Sequence, residues 1–376
     1  MNRKLNILIC PLEWGLGHAA RMIPVAREFL TLGHNVIIGS GETHAALFKS
    51  EVPGLSYIDF PGFRPEYSAV LPQYLSVLMK VPTLLYHIIR ENRRLKTLIK
   101  EHQIDIVISD NRFGLWNRQI TCVYVTHMPI IPFPRAFRSF EFIGKAFHRY
   151  IINKYTICLI PDLPGVKNFS GRLTHGFPLP SNACFTGILS RFAGEEHKPV
   201  TAKDISRHNT IILSGPEPQR GIFRKKLIEL FRDIETPTII FEGKPGKQNE
   251  VEKTGNISFV NHLPGDQMKE LILTSDLILT RSGYTTIMEL ASLNRRAIII
   301  PTPGQTEQEY LAEYLSAKGW FSTVSQAAMD NHITTWKGEC DKNIDIASES
   351  RLLFRGSIDE ILKKCHEKIQ SRESCQ

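Results

Sequence analysis

The sequence has no paired cysteine motif. Its seven cysteines, Cys10, Cys122, Cys158, Cys184, Cys340, Cys365 and Cys375, are odd in number and contain no CxxC, which excludes a zinc-ribbon spacing, speaks against a disulfide framework and favours a reducing compartment. Three of them, Cys10, Cys122 and Cys158, sit in apolar runs and read as small buried hydrophobes. No long hydrophobic run is present. The best candidate, residues 74–89, is broken by Lys80 and Pro82, so no helical membrane span is expected. The first apolar run, Leu5 to Leu12, stops at Glu13 and is too short for an export signal. The expectation is a cytoplasmic protein. With 42% hydrophobic and 22% charged residues the chain is not a disordered one. Acidic residues are outnumbered, 38 against 46 basic for a net charge of +8. That suits an anionic ligand, an anionic membrane surface or nucleic acid, but the basic residues are spread over both halves, so a nucleic-acid partner is not expected.

What is present is a recurring short apolar run. LNILICPL, NVIIGS, IDIVISD, TCVYVTH and YTICLIPD occur before residue 163, and NTIILSG, TPTIIFEG, ISFVNHL, DLILTRSG and RAIIIPTP after residue 208. Runs of Ile, Val and Leu without strict alternation are those of parallel strands covered on both faces, and the stretches between them have helix length. At 376 residues the chain accommodates two such α/β units. The polar stretch Ser190 to Arg207 separates them, which predicts domains of residues 1–195 and 196–376. Leucine and isoleucine at helical spacing over residues 350–369 predict an amphipathic helix that packs back on the first domain. Two doubly wound domains facing each other bring the carboxyl ends of both sheets to one cleft, where ligands of open α/β sheets bind.

Two turns carry chemistry. In the second half, the strand ending at Arg281 runs through Ser282 and Gly283 directly into a helix, whose free N–H groups suit phosphate. Glu289 inside that helix, and Gln308 and Glu309 after the next strand, suit hydroxyls. Phosphate beside hydroxyl-reading groups suggests a nucleotide-sugar. In the first half, Glu13-Trp14-Gly15-Leu16-Gly17-His18-Ala19-Ala20-Arg21 follows the first strand. Gly15 and Gly17 permit tight turning and close approach of a ligand. His18 at the helix start is suited to taking a proton from a hydroxyl or to stabilising negative charge, and Arg21 to phosphate or to the helix surface. The spacing is not GxGxxG and no acidic residue closes the next strand, which argues against a nicotinamide site. Asp110, ending a strand in ISDNRFG, is suited to the site or to capping the following turn.

GLGHAAR, SGPEPQR, TRSGYTTIMEL and PTPGQTEQEY together resemble the GT-B glycosyltransferases related to the bacterial enzyme that adds N-acetylglucosamine to lipid-linked muropeptide, glycosyltransferase family 28. The resemblance implies a GT-B fold of two Rossmann-like domains around a cleft, and inverting transfer of a sugar from a nucleotide-diphosphate donor, UDP-linked, to a hydroxyl. It implies that Ser282 and Gly283 meet phosphate, that Glu289 accepts from ribose hydroxyls, that Gln308 and Glu309 read the sugar, and that the base is read near Val260 by main chain. In the turn from Ser214 to Arg220, Gly215 is kept, but Pro216 and Pro218 lack N–H groups, so Arg220 is expected to meet phosphate instead. Trp14 stands where relatives often carry glycine and is expected to narrow the acceptor pocket, with Arg21 and Asp110 nearby. No D-x-D occurs. No metal and no cofactor is therefore expected, the nucleotide-sugar being a substrate and the leaving diphosphate being met by helix ends and arginine. A nucleotide-sugar hydrolase is the nearest rival, because GxGHxxR also resembles the turn of the enzyme that cleaves a UDP-linked sugar in pseudaminic acid synthesis. A non-catalytic nucleotide-sugar-binding protein is the rival from another class.

One stretch is both aromatic and basic. Residues 129–155 carry Phe133, Phe137, Phe140, Phe142, Phe147 and Tyr150 among Arg135, Arg138, Lys145, Arg149 and Lys154. Such a segment either lies on an anionic membrane with its apolar face in the interface, or sends its aromatics into the core. Together with residues 71–89 and the basic residues that follow, it favours a lipid-linked acceptor and a peripheral position at the inner face of a membrane.

Overall fold

The computed structural model describes residues 3–63, 79–133, 135–193, 207–215, 217–245, 251–330, 333 and 346–374. The predicted boundary near residue 195, Pro216, residues 71–78, Cys340 and Cys375 lie outside the described residues. Within them, fourteen strands form two sheets. The first contains β1 (Asn6–Pro11), β2 (Asn35–Ser40), β3 (Ser56–Asp59), β4 (Ile106–Asp110), β5 (Thr121–Val125), β6 (Ile157–Ile160) and β7 (Ala183–Phe185), in the order β3-β2-β1-β4-β5-β6-β7. All of its pairs are parallel. The second contains β8 (Asn209–Ile212), β9 (Thr238–Phe241), β10 (Val251–Thr254), β11 (Ile257–Val260), β12 (Leu277–Arg281), β13 (Ile298–Ile300) and β14 (Ser322–Thr323), in the order β10-β11-β9-β8-β12-β13-β14. Only the β10–β11 pair is antiparallel.

Each apolar run named above forms a strand. The four strands without such a run, β3, β7, β10 and β14, are the edges of the two sheets. Their residues are exposed or half-buried, so they need no continuous apolar sequence. Inner strands alternate between two cores. Ile7 and Ile9 face one side of the first sheet, Leu8 and Cys10 the other; Ile278 and its neighbours Leu277 and Leu279 divide in the same way in the second.

The helices that cover these faces are α1 (Leu16–Thr31), α2 (Glu42–Glu51), α3 (Val81–Glu101), α4 (Glu141–Ile152), α5 (Gln219–Phe231), α6 (Gly265–Thr274), α7 (Tyr284–Ser292), α8 (Thr306–Ala317) and α9 (Ala347–Glu373). Among the described residues no helix is long and apolar enough to cross a membrane. Helix α9 returns to the first sheet. Its Ile358, Ile361 and Cys365 enter a first-half core, and Lys368 donates to the Ile120 carbonyl at 2.7 Å. In exchange, Leu163, Phe169 and Leu173 of the first half enter a core of the second, on a loop held by Asp162, which accepts N–H groups of Leu163, Phe169 and Ser170.

The strand order reverses between β1 and β4 in the first sheet and between β8 and β12 in the second. At such switch points the following helices leave on opposite faces and open a crevice at the carboxyl ends of the strands. Both reversals carry the motifs found in the sequence.

Candidate functional site

At the first reversal, Pro11 of β1 lies in register with Asp110 of β4. The chain then turns sharply. Glu13 accepts the Gly41 N–H, the Trp14 indole donates to the Phe63 carbonyl at 3.1 Å, and Gly15, the residue before α1, has φ +126°, where side-chain-bearing residues are strained. That turn places His18 in the first turn of α1 above the end of β4. His18 Nδ1 lies 2.9 Å from Asp110 Oδ2. Asp110 is fully buried, and Arg21, one helical turn after His18, donates to it from Nε at 2.9 Å and also from Nη2.

The charges fix the state of this group. Burial raises the Asp110 carboxyl, but Arg21 and His18 outweigh it and hold it below its ordinary value. His18 is pushed down to about 4 by burial and then by Arg21, against the pull of Asp110. It is therefore neutral near pH 7. A carboxylate only accepts, so we assign the proton to Nδ1, donated to Asp110, which leaves the Nε2 lone pair available as a base. Beyond Arg21 the network continues to a residue that sequence reasoning did not single out. Arg21 Nη1 donates to His127 Nδ1 at 2.8 Å, and His127 Nε2 meets Glu307 Oε1 of α8 at 2.8 Å. His127 follows β5 and shares with Asp110 the position after a strand's carboxyl end, the one signal that marked it.

At the second reversal, β12 ends at Arg281 and Gly283 caps α7. This end does not stand open. The Thr285 hydroxyl donates to the Gly17 carbonyl at 3.1 Å, and the Tyr284 ring stacks on His127 with centroids 4.2 Å apart. Ser282 is buried and its hydroxyl donates to the Gln308 carbonyl at 2.9 Å. Helices α1 and α7 thus meet end to end across the cleft, with Ser214 beside Gly283.

Several residues expected to meet ligand have partners within the fold. Arg281 is fully buried under the sheet, where it donates to the Pro301 carbonyl and to Gln326 and lies over the Phe223 ring of α5; its side chain is on the sheet face that α5 covers. Arg220 pairs with Glu217 at 2.8 Å and donates to the Glu242 carbonyl, while Gly215 has a positive φ of 98° in the same turn. Glu289 is buried as its apolar neighbours implied, but its Oε1 accepts from Arg191 at 2.8 Å, and Arg191 also holds Glu51 of α2. The Gln308 side chain accepts the Thr302 N–H and Glu309 accepts the Gly304 N–H; both close the turn before α8, and the acidic residue that reaches the cleft cluster is Glu307. The Val260 carbonyl is used by the Glu242 N–H, which leaves the residues after it to face the cleft end of β11.

The first half carries two further features. A cavity of about 790 Å³ opens at the ends of β2 and β3, lined by Gly41, Thr43, Asp59, Phe63, Thr83 and His87, and Trp14 packs on Phe63 beside it. The aromatic stretch does not enter the core as a whole. His148, Ile151 and Ile152 do, whereas Phe137, Phe140, Phe142, Ile143 and Tyr150 are exposed, and so are Met79, Leu85, Tyr86 and Ile89 around the start of α3. The two groups flank one loop, since Gly114 abuts the Ile88 carbonyl and Phe113 packs on Phe147.

Comparison with known proteins agrees with this architecture. Residues 243–333 match the glycosyltransferase family 28 C-terminal domain. An uncharacterized glycosyltransferase of Methanosarcina acetivorans is 25% identical over 351 residues, covering 86% of this chain and 84% of the relative. A UDP-N-acetylglucosamine--N-acetylmuramyl-(pentapeptide) pyrophosphoryl-undecaprenol N-acetylglucosamine transferase of Mannheimia succiniciproducens is 32% identical over 98 residues, 26% of this chain and 25% of that one. Among solved structures, the glycotransferase of kitacinnamycin superposes with a TM-score of 0.63 at 14% identity, over 97% of this chain and all of that one. MurG of Acinetobacter baumannii superposes with a TM-score of 0.53 at 15% identity, over 96% of this chain and 100% of that one. The chain is thus a glycosyltransferase of the GT-B fold, similar over residues 243–333 to the family 28 C-terminal domain.

Proposed function

We propose that this protein transfers a sugar from a UDP-linked donor to a hydroxyl of a lipid-linked acceptor, with His18 as the general base and inversion at the anomeric carbon. The observation that carries this reading is His18, held at Nδ1 by the buried Asp110 and placed at the cleft opposite the start of α7. In the reaction the acceptor oxygen attacks the anomeric carbon and its proton passes to His18 Nε2, while the bond from that carbon to the diphosphate oxygen breaks on the opposite face. Asp110 compensates the imidazolium as it forms. The leaving diphosphate is met by the N–H groups that open α7, without a metal ion. The cavity beside Trp14 and Phe63 takes the acceptor.

The lipid-linked acceptor is supported by the exposed aromatic and aliphatic residues of α3, α4 and the turn before α4, which lie beside Arg90, Arg93, Arg94 and Arg149 at the surface. Apolar side chains flanked by cations suit the interface of an anionic membrane at its cytoplasmic face. The relative from Mannheimia succiniciproducens is named for an undecaprenol-linked acceptor.

A thermal-shift panel of UDP-, GDP- and dTDP-sugars identifies the donor, since a ligand bound only to the folded state raises the melting temperature. His18→Ala is expected to keep the shift and lose transfer. Free sugar released at the full rate without acceptor marks a hydrolase, and the proposal is abandoned if no nucleotide-sugar shifts the melt and His18→Ala retains all activity.

A further inference from the structure

The network around His18 crosses from one domain to the other. His18 and Arg21 come from α1, Asp110 from the end of β4 and His127 from the segment after β5, all in the first half; Glu307 belongs to α8 and Tyr284 to α7, both in the second. At its His127 end the hydrogen-bond directions are determined. Arg21 has only donors, so His127 Nδ1 accepts from it, His127 carries its proton on Nε2, and that proton is given to Glu307. The ring plane is held by the Tyr284 stack, 17° from parallel, and Tyr284 is itself anchored by its hydroxyl on the Pro161 carbonyl at 2.7 Å. Burial raises the Glu307 carboxyl, but the hydrogen bond from His127 and the nearby Arg21 charge are among the influences that hold it below its ordinary value.

We infer that His127 and Glu307 are positioning residues that set the protonation pattern of His18 only when the two domains are closed, an inference that rests on His18 being the base. The argument is geometric. Arg21 Nη2 lies 2.8 Å from the same His18 Nδ1 that faces Asp110. Two partners therefore compete at that nitrogen: Asp110, which requires a proton on it, and Arg21, which requires a lone pair. Arg21 is drawn towards Asp110 and His127 as long as His127 offers a fixed acceptor, and His127 is fixed as long as Glu307 and Tyr284 hold its far side. When the second domain moves away, Glu307 and Tyr284 leave together. His127 loses both its proton acceptor and its stack, Arg21 Nη1 loses its fixed acceptor, and the contact that Nη2 already makes with His18 Nδ1 is no longer held in balance with Asp110; the His18 proton then shifts to Nε2, where the ring cannot serve as a base. The enzyme would arm its base only around a closed cleft, which protects the donor from water while the cleft is open.

The test reads the imidazole nitrogens of the full-length chain labelled with ¹⁵N-histidine, in long-range ¹H–¹⁵N spectra at neutral pH, with His18→Ala and His127→Phe assigning the two residues. Wild-type His18 is expected to show one protonated and one unprotonated nitrogen with well-separated shifts, the proton on Nδ1. In Glu307→Ala the separation narrows as the two tautomers mix, and in Glu307→Gln, whose amide oxygen accepts the same N–H, it is restored. His127→Phe keeps the stack on Tyr284 but removes the acceptor of Arg21, so it gives the same narrowing and serves if Glu307→Ala does not fold. His18 signals that stay unchanged in Glu307→Ala and His127→Phe overturn the inference, as does a wild-type His18 protonated on Nε2. Loss of transfer in His18→Ala with unmoved tautomers would leave the base reading intact and reject only the coupling.

Discussion

Asp110→Asn is the substitution that separates the chemistry of the cluster from its packing. The side chain it replaces is fully buried and accepts from Arg21, which is itself buried, and from His18. Asparagine has nearly the same shape but no charge. Arg21 is then left as a buried cation without its counter-ion, and breaking such a pair costs about 3–5 kcal/mol. At roughly 2–4 °C per kcal/mol for a unit of this size, the melting temperature should fall by about 6–20 °C. The effect on catalysis has a different origin. If the amide oxygen takes the Arg21 donors, the amide nitrogen faces His18 Nδ1 and requires a lone pair there, so the His18 proton moves to Nε2 and the base is lost. A wrong tautomer of this kind costs about 10⁴-fold in kcat. Melting curves and release of UDP from the donor found in the thermal-shift panel measure the two effects separately. Pairing Asp110→Leu with Arg21→Met should recover much of the stability and none of the activity, because replacing both members of a buried ion pair removes the charge that either alone leaves behind. An Asp110→Asn protein that melts within about 1 °C of wild type and turns over at the wild-type rate would refute the reasoning.

Other perturbations follow from the same contacts. His18, His148 and His262 are each pushed down to about 4, mainly by burial; the unfolded chain therefore binds more protons below the ordinary histidine value of 6.5, and melting temperature should fall as pH is lowered from 6.5 towards 4, with a flat profile in that interval arguing against neutral buried rings. In Gly17→Ala the new methyl would meet Thr285 Oγ1 at 2.9 Å and Cβ at 3.1 Å across the cleft, which should cost about 1–3 kcal/mol in a melt and be partly recovered by adding Thr285→Ala. Exchange of Phe142 and Tyr150, both exposed, for serine should weaken co-sedimentation with anionic vesicles while leaving the melting temperature unchanged; equal sedimentation of the variant would remove the membrane reading of α4.

The sequence by itself determined the two-sheet α/β architecture, because strands buried on both faces must be continuously apolar, as IVISD and LILTR are. It did not reveal β3, β7, β10 or β14, because an edge strand is only half covered and carries no such run. It marked His18 and Asp110 by their places after strands, and its resemblance to family 28 agrees with the match over residues 243–333. What only the tertiary structure decided is which side chains meet. Arg281 and Gln308 stand in the right turns but are consumed by the fold's own carbonyls and N–H groups, since a buried polar group must be satisfied wherever the nearest partner lies. His127 and Glu307, 180 positions apart in sequence, share one hydrogen bond because two separate strand-order reversals face each other across the cleft, a relation that no local pattern encodes.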